Sequence, residues 1–101
     1  MSYVAVVRGL AERDLDEAVA YLAVIDTDLA LRFLDDVERS ARRLETFPFV
    51  GREPYRGVRR VSLDIFPYHL YYRVVGHEVR IIAVLHHRRD PKTVRDTITQ
   101  R

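Results

Sequence analysis

Hydrophobic positions in the first half of the chain repeat with the spacing of helices. A short apolar run at residues 3–7 has the composition of a strand. After it, apolar residues recur at steps of three or four, which places them on one face of each of two helices. They are Ala11, Leu15, Ala18, Leu22 and Ile25 in the first helix, and Ala30, Phe33, Val37, Ala41 and Leu44 in the second. Asp26 lies between them as a good N-cap, so the pattern predicts an antiparallel helical hairpin.

The periodicity changes to that of strands in the second half. Residues 49–57 contain glycine and proline and are predicted to be irregular. Apolar and polar residues then alternate over residues 60–65 and again over residues 68–75, which predicts two strands that each bury one face. Residues 78–85 are apolar on both faces over most of their length, which is typical of a strand inside a sheet.

Asp90 and Pro91 mark the start of a last helix, because they combine an N-cap side chain with proline at the first helical position. This helix is predicted over residues 92–99. The order β-α-α-β-β-β-α predicts an α+β domain with an N-terminal strand, an antiparallel helical hairpin, a mostly antiparallel sheet of about four strands and a short C-terminal helix. The helices are expected on one face of the sheet. Residues 1–101 are expected to form a single domain.

Composition narrows the classes of function. Cysteine is absent, which excludes disulfides, thiolate nucleophiles and cysteine zinc sites. No apolar run approaches the roughly 20 residues that cross a bilayer, and the N-terminal segment lacks the features of a signal peptide, so a cytoplasmic protein without membrane contact is expected. Residues 1–51 carry 6 basic and 10 acidic side chains, whereas residues 52–101 carry 11 basic and 5 acidic. The second half therefore predicts a surface for an anionic partner.

The segment AVLHHRRDP, at the end of the last predicted strand, concentrates residues that could carry chemistry. His86 and His87 are adjacent, so their side chains point to opposite faces of an extended strand. No cysteine or acidic cluster completes a ligand set beside them, and neither a metal nor another cofactor is expected. The serines lie outside any nucleophile-elbow context, and the glycines are too scattered to form a phosphate loop.

Strand alternation places His69, Tyr71 and Arg73 on one face of the second predicted strand, and His86 and Arg88 on one side at the end of the third if that strand stays extended. Arg59 and Arg60 add charge from the preceding strand, so imidazoles, guanidiniums and a phenol meet on one surface if those faces coincide. Such groups could supply the base, the acid and the cations that cleave RNA without a metal. Alternatively, the cations border a protein-binding groove, and residue types alone favour this second interpretation.

Three motifs after the helical hairpin suggest a family. They are YRGVRRVSL, FPYHLYYRV and VRIIAVLHHRRDP, and with them the chain resembles the RelE/ParE toxin superfamily of bacterial type II toxin–antitoxin systems over residues 3–98. The resemblance implies a toxin that is neutralised by a cognate antitoxin, whose extended or helical segment wraps the toxin. It also implies that operator DNA is bound only through the antitoxin.

The RelE-like branch of this superfamily cleaves messenger RNA on the ribosome without a metal. By resemblance, His69 falls where that branch often has an arginine, and Arg88 matches its strand-end arginine. Val94 stands near the place of the branch's C-terminal tyrosine, and no tyrosine follows Tyr72. If the chain is a ribonuclease, its catalytic residues are predicted to be His69, Arg73, His86 and Arg88.

The ParE-like branch inhibits DNA gyrase and commonly keeps a long helical hairpin and a C-terminal helix, both of which are predicted here. We therefore expect this branch, with gyrase as the target and no enzymatic activity. The alternatives are a ribonuclease, with the ribosome and messenger RNA as partners, and a degenerate toxin that only binds antitoxin. The residues predicted to contact the target or a phosphate are Arg59, Arg60, Arg73, His87, Arg88 and Arg89.

Overall fold

The computed structural model describes residues 2–101. The elements are β1 (Val4–Val7), α1 (Leu10–Ile25), α2 (Thr27–Thr46), β2 (Arg52–Tyr55), β3 (Val58–Ser62), β4 (Tyr68–Val75), β5 (Glu78–His86) and α3 (Pro91–Thr99). The strands form one sheet in the order β1-β5-β4-β3-β2, in which β1 runs parallel to β5 and the other neighbouring pairs are antiparallel. The predicted α+β class, with its helical hairpin and mostly antiparallel sheet, is confirmed.

The helical hairpin turns at a single residue. The Asp26 N–H donates to the Leu22 carbonyl and so closes α1, while the Asp26 side chain accepts a hydrogen bond from the N–H of Asp28 and begins α2. The predicted apolar stripe is largely buried, although Ile25 at the turn is 59% exposed. Its buried members are Ala11, Ala18, Leu22, Ala30, Phe33, Val37 and Leu44. None of the helices within residues 2–101 is long and apolar enough to cross a membrane.

The helices cover both faces of the sheet, which corrects the expectation that all would lie on one. The hairpin packs on the face that carries Leu70, Tyr72 and Ile81. The buried residues of α3, Val94 and Ile98, instead join a second cluster on the opposite face, together with Val58, Tyr71, Ile82, Ala83 and Leu85. Asp90 and Pro91 predicted where this last helix begins, but no local signal indicated which side of the sheet it would cover.

A β-bulge in β5 lets this strand serve both clusters. Tyr71 pairs with Ala83 and Tyr72 with Ile81, so Ile82 is an extra residue in the ladder. As a result, Ile81 lies in the hairpin cluster while Ile82 and its neighbour Ala83 both lie in the α3 cluster. This arrangement explains why β5 is apolar without interruption from Ile81 to Leu85.

The segment between the hairpin and β4 differs from the sequence prediction. Residues 49–57 were expected to be irregular, but they include β2, which pairs with β3 at the sheet edge. The strand predicted over residues 60–65 instead begins at Val58 and ends at Ser62. The alternating pattern placed the end of this strand too late, because Ile65 is 65% exposed in the loop before β4.

Side chains protect the part of β5 that β1 does not reach. The last ladder contact of β1 is the hydrogen bond from the Arg8 N–H to the Ile81 carbonyl, at 3.0 Å. Beyond it, Asp14 Oδ2 accepts from the Val84 N–H at 3.0 Å, and Arg101 Nη1 donates to the Ile82 carbonyl at 2.9 Å. The same carboxylate and guanidinium pair with each other at 2.6 Å. One ion pair thus joins α1, β5 and the residues after α3.

Candidate functional site

A small cleft opens where the sheet meets the start of α3. Its volume is about 120 Å³. Neighbouring strands bring Arg60 of β3 and His69 of β4 to it, and the turn after β5 adds His87 and Arg89. Pro91 and Val94 of α3 close one side. No carboxylate is among the lining residues, so the cleft is a basic pocket with an apolar wall.

Two histidine rings stack at the centre of the cleft. The His69 and His87 ring centroids are 4.0 Å apart and the planes are inclined by 28°. His69 Nδ1 lies 3.1 Å from the Ser62 hydroxyl, which fixes the orientation of the ring and leaves Nε2 available. Burial lowers the pKa of His69 to about 4, with further contributions from His87 and Arg60. The His69 imidazole is therefore neutral at physiological pH.

Two tyrosines continue this aromatic surface. The Tyr71 ring lies 6.1 Å from the His69 ring and 6.5 Å from the Tyr55 ring. Burial raises the pKa of the Tyr71 phenol, and a hydrogen bond with Arg60 opposes that shift. Tyr55 was missed by the sequence reading because it lies in β2. The glycine of Arg56-Gly57, directly after it, is the sequence signal that could have indicated this short hairpin. In the structure Gly57 has a φ of +76°, which glycine adopts readily.

His86 points mainly to the other side of the sheet. Its ring meets Tyr68 edge-on at a centroid distance of 5.1 Å, and it reaches the cleft only at the margin. Burial lowers the pKa of His86, followed by the positive charges of Arg88 and His87. The backbone N–H of Arg88 donates to His86 Nδ1 at 3.0 Å, because β5 ends at His86 and the chain turns. His86 and Arg88 therefore do not continue one strand face, which had been a condition of the sequence argument.

The remaining predicted basic residues lie in different places. Arg59 is on the opposite face from Arg60 and donates to the Phe49 and Gly51 carbonyls at 3.1 and 2.9 Å. Arg73 follows His69 and Tyr71 along β4, but its guanidinium lies near Gly57, and neither it nor the exposed Arg88 lines the cleft. The structure thus brings together Arg60, His69, His87 and Arg89. Within residues 2–101, no group of three or more histidine or acidic side chains is placed to hold a metal ion.

A second, apolar groove lies between β1 and α2. Its volume is about 430 Å³, and its floor is formed by Ala5, Val7, Leu34, Val37, Ala41 and Ile81. Charged side chains from α2 border it, among them Glu38, Arg42 and Glu45. Glu45 Oε2 accepts a hydrogen bond from the Ala5 N–H at 2.8 Å, and this bond lowers the pKa of the Glu45 carboxyl. The groove therefore sits beside a short edge strand that one carboxylate protects.

The helical hairpin on a β1-β5-β4-β3-β2 sheet and the basic strand end define a toxin of the RelE/ParE superfamily. Residues 6–91 match the family model described as "ParE toxin of type II toxin-antitoxin system, parDE". The chain belongs to this family of ParE-like toxins, and membership implies an antitoxin partner.

A solved structure agrees with this assignment. The chain is similar to one in "Chromosomal ParDE TA system from P. aeruginosa", with a TM-score of 0.71 and 25% sequence identity, over 83% of this chain and 95% of that chain. No curated protein matches the sequence significantly.

Proposed function

We propose that this chain inhibits bacterial growth by binding DNA gyrase, and that a cognate antitoxin neutralises it by binding the toxin directly. The observation that carries the proposal is the family match over residues 6–91, since inhibition of gyrase is what the resemblance to the ParE-like branch implies. The long helical hairpin and the C-terminal α3 agree with that branch. We expect this action in the cytoplasm, with operator DNA contacted only through the antitoxin.

The geometry of the basic residues supports a binding protein over a nuclease. Cleavage of RNA without a metal needs a base, an acid and cations that converge on one phosphate. Of the four residues predicted to be catalytic, only His69 lies centrally in the cleft; His86 faces Tyr68, and Arg73 and Arg88 lie outside. The arrangement lacks the convergence that the nuclease hypothesis required of these four residues.

The groove between β1 and α2 is the surface we assign to the antitoxin. It combines apolar floor residues with an edge strand, so an extended or helical segment could bury side chains there and also meet backbone groups. The groove itself is bordered by both signs of charge, Glu38, Arg42 and Glu45, so charge contributes only through the net +2 of the whole chain, which favours an acidic antitoxin. The association rate is expected to fall as salt concentration rises.

A supercoiling assay tests the proposal. Purified gyrase is incubated with relaxed plasmid, ATP and increasing amounts of the chain, with or without an equimolar amount of the antitoxin encoded beside it. We expect supercoiling to fall as the toxin concentration rises and to recover when the antitoxin is present. Full supercoiling at a large molar excess of folded toxin would overturn gyrase as the target while leaving family membership untouched.

Ribosome-dependent cleavage of messenger RNA is the second candidate. The observation in its favour is that His69, His87, Tyr71 and Arg60 share one cleft, since these residue types could act on a phosphodiester. Primer extension on messenger RNA from induced cells tests it. The candidate requires new 5′ ends that vanish in a His69→Ala variant and persist in a His77→Ala variant.

A further inference from the structure

The cleft beside α3 holds a half-buried arginine without a negative partner. Arg60 is partly covered, yet no carboxylate in residues 2–101 lies within ion-pair distance of it. Arg59, the next residue on β3, differs in this respect, because it pairs with Glu53. A cation that is partly removed from water and left unpaired is stabilised by any anion that can reach it.

The groups around His69 are cationic or neutral on every side. Arg60 and Ser62 face it from β3, Tyr71 from β4, Tyr55 from β2, and His86, His87 and Arg89 from the end of β5 and the following turn. From α3 the cleft meets only Pro91 and Val94. The nearby Asp90 carboxylate is held away by the N–H and hydroxyl of Thr93, at 3.4 and 3.2 Å.

We propose that this cleft binds a single phosphate group, held by Arg60, His69 and His87, and that binding draws one proton onto His69. Phosphate fits better than a carboxylate, because it presents at least three acceptor directions to a bidentate guanidinium and two separate rings. The cleft is small, at about 120 Å³, so we expect only the phosphate group of any larger ligand to enter it.

The hydrogen bond between His69 and Ser62 is compatible with proton uptake by the ring. A hydroxyl can donate to a neutral imidazole nitrogen or accept from a protonated one, so Ser62 suits both states of the ring. The pKa of His69 is about 4 without an anion, since burial and the positive charges beside it disfavour the imidazolium. A bound phosphate counters the neighbouring positive charges and so raises the pKa of His69. Between this raised pKa and about pH 4, the affinity for phosphate is expected to increase by up to about tenfold for each unit by which the pH falls.

This inference goes beyond the proposed function and does not depend on it, since a chain that failed to inhibit gyrase would still contain the cleft. The phosphate could be free or could belong to a nucleic-acid backbone. Inorganic phosphate represents the first source, and dimethyl phosphate, a diester of constant single charge, represents the second. Whichever probe binds more tightly identifies the source.

Histidine ring signals in NMR spectra test the proposal on the folded chain. The titration midpoint of His69 is measured in chloride, acetate, inorganic phosphate and dimethyl phosphate at equal ionic strength. We expect at least one phosphate probe to raise the midpoint by at least about one pH unit relative to chloride, since a shift of that size corresponds to about 1.4 kcal/mol. His77, at the far turn between β4 and β5, serves as the internal control and stays unchanged.

Matched variants locate the binding site. Arg60→Gln is expected to abolish the phosphate-induced shift of His69, whereas Arg56→Gln, with the same charge change on the exposed β2–β3 turn, leaves it intact. An unmoved His69 midpoint in the wild-type chain overturns the proposal without any variant. An equal shift in acetate, or an equal loss in the two variants, also overturns it, because the site would then lack selectivity for phosphate or depend only on net charge.

Discussion

Single carboxylates connect distant segments of this chain. Asp36 on α2 is completely buried, and its Oδ2 accepts hydrogen bonds from the N–H groups of Ile65 and Phe66, each at 2.9 Å. Its Oδ1 has no hydrogen bond and only an ion-pair contact of 3.5 Å with Arg39. Asp36 thus attaches the loop between β3 and β4 to the hairpin, alongside the exposed Arg43–Asp64 ion pair at 2.7 Å. This loop leads directly into the strand that carries His69.

Replacement of Asp36 by alanine is expected to lower the free energy of unfolding by about 2–4 kcal/mol, because two N–H groups lose their acceptor. The neighbouring Asp35 is exposed, so Asp35→Ala removes the same charge from the same helix. Its effect is expected to stay within about 0.5 kcal/mol. Urea unfolding followed by circular dichroism measures both values. Similar losses in the two variants would show that charge, and not the buried hydrogen bonds, accounts for the effect.

His69 gives stability a pH dependence in a defined window. Its pKa is about 4 in the folded chain, against 6.5 for an unperturbed histidine. Above about pH 6.5 the His69 ring is neutral in both the folded and the unfolded chain. As the pH falls towards about 4, the unfolded chain gains a proton that the folded chain does not, so stability is lost. His69→Gln is expected to reduce this loss, whereas His77→Gln is expected to retain it. Urea midpoints at pH 7 and pH 5 measure the difference; a wild-type pH dependence in His69→Gln contradicts the assignment.

At the scale of elements, those that neighbouring residues specify were predicted accurately, and those that depend on distant contacts were not. β4 was predicted over residues 68–75 and has those bounds, because an alternating pattern and flanking turns specify it locally. β2 was missed because four residues that include proline carry little pattern, and pairing with β3 is what makes them a strand. The side of the sheet that α3 covers follows from long-range packing against Tyr71, Ile82 and Leu85, which no short-range signal predicts.

The candidate site shows the same limit. Strand alternation correctly placed His69 and Tyr71 on one face of β4, and the structure retains that relation. Alternation could not show that β5 ends at His86, so that the turned chain brings His87 onto the His69 ring. Arg59 and Arg60 are adjacent on β3 and face opposite sides, so only Arg60 lines the cleft, while Arg59 binds backbone carbonyls on the other face.

Arg101, just after α3, adds an ion pair with Asp14 to the apolar packing of Val94 and Ile98, and this gives a prediction at the same scale. The Asp14–Arg101 pair is mostly buried, with side chains 8% and 14% exposed. Arg101→Ala is expected to cost about 2–4 kcal/mol, because Asp14 keeps its burial and loses its cation. It is also expected to accelerate amide exchange in α3. Arg95→Ala, an exposed change on α3, is the control; equal exchange rates in the two variants would show that the ion pair does not fasten the helix.

At the scale of the whole molecule, the two candidate surfaces lie on opposite faces of the sheet. The apolar groove is on the hairpin face between β1 and α2, and the basic cleft is on the face that α3 covers. Opposite faces allow the antitoxin and a phosphate-bearing ligand to bind without direct competition. The uneven charge of the chain agrees with this division, since the basic second half of the sequence supplies the cleft.

Leu34 offers a direct test of the antitoxin groove. It is 40% exposed and lines the groove, whereas Leu31, one turn earlier on α2, is 57% exposed and does not. Leu34→Glu is expected to weaken antitoxin binding at least about tenfold, or about 1.4 kcal/mol, because it places a charge on an apolar contact. Leu31→Glu is expected to bind nearly as the wild type does. Calorimetric titration with the antitoxin measures both, and equal affinities would exclude this groove as the binding surface.

The most direct test of the central claim, that this ParE-family toxin acts on gyrase, is pulse labelling of cells just after the chain is induced without its antitoxin. The account predicts that thymidine incorporation falls first, with filamentation, while methionine incorporation continues, and that a His69→Ala variant behaves in the same way. An early fall in methionine incorporation with continued replication would contradict it and point to messenger RNA as the target.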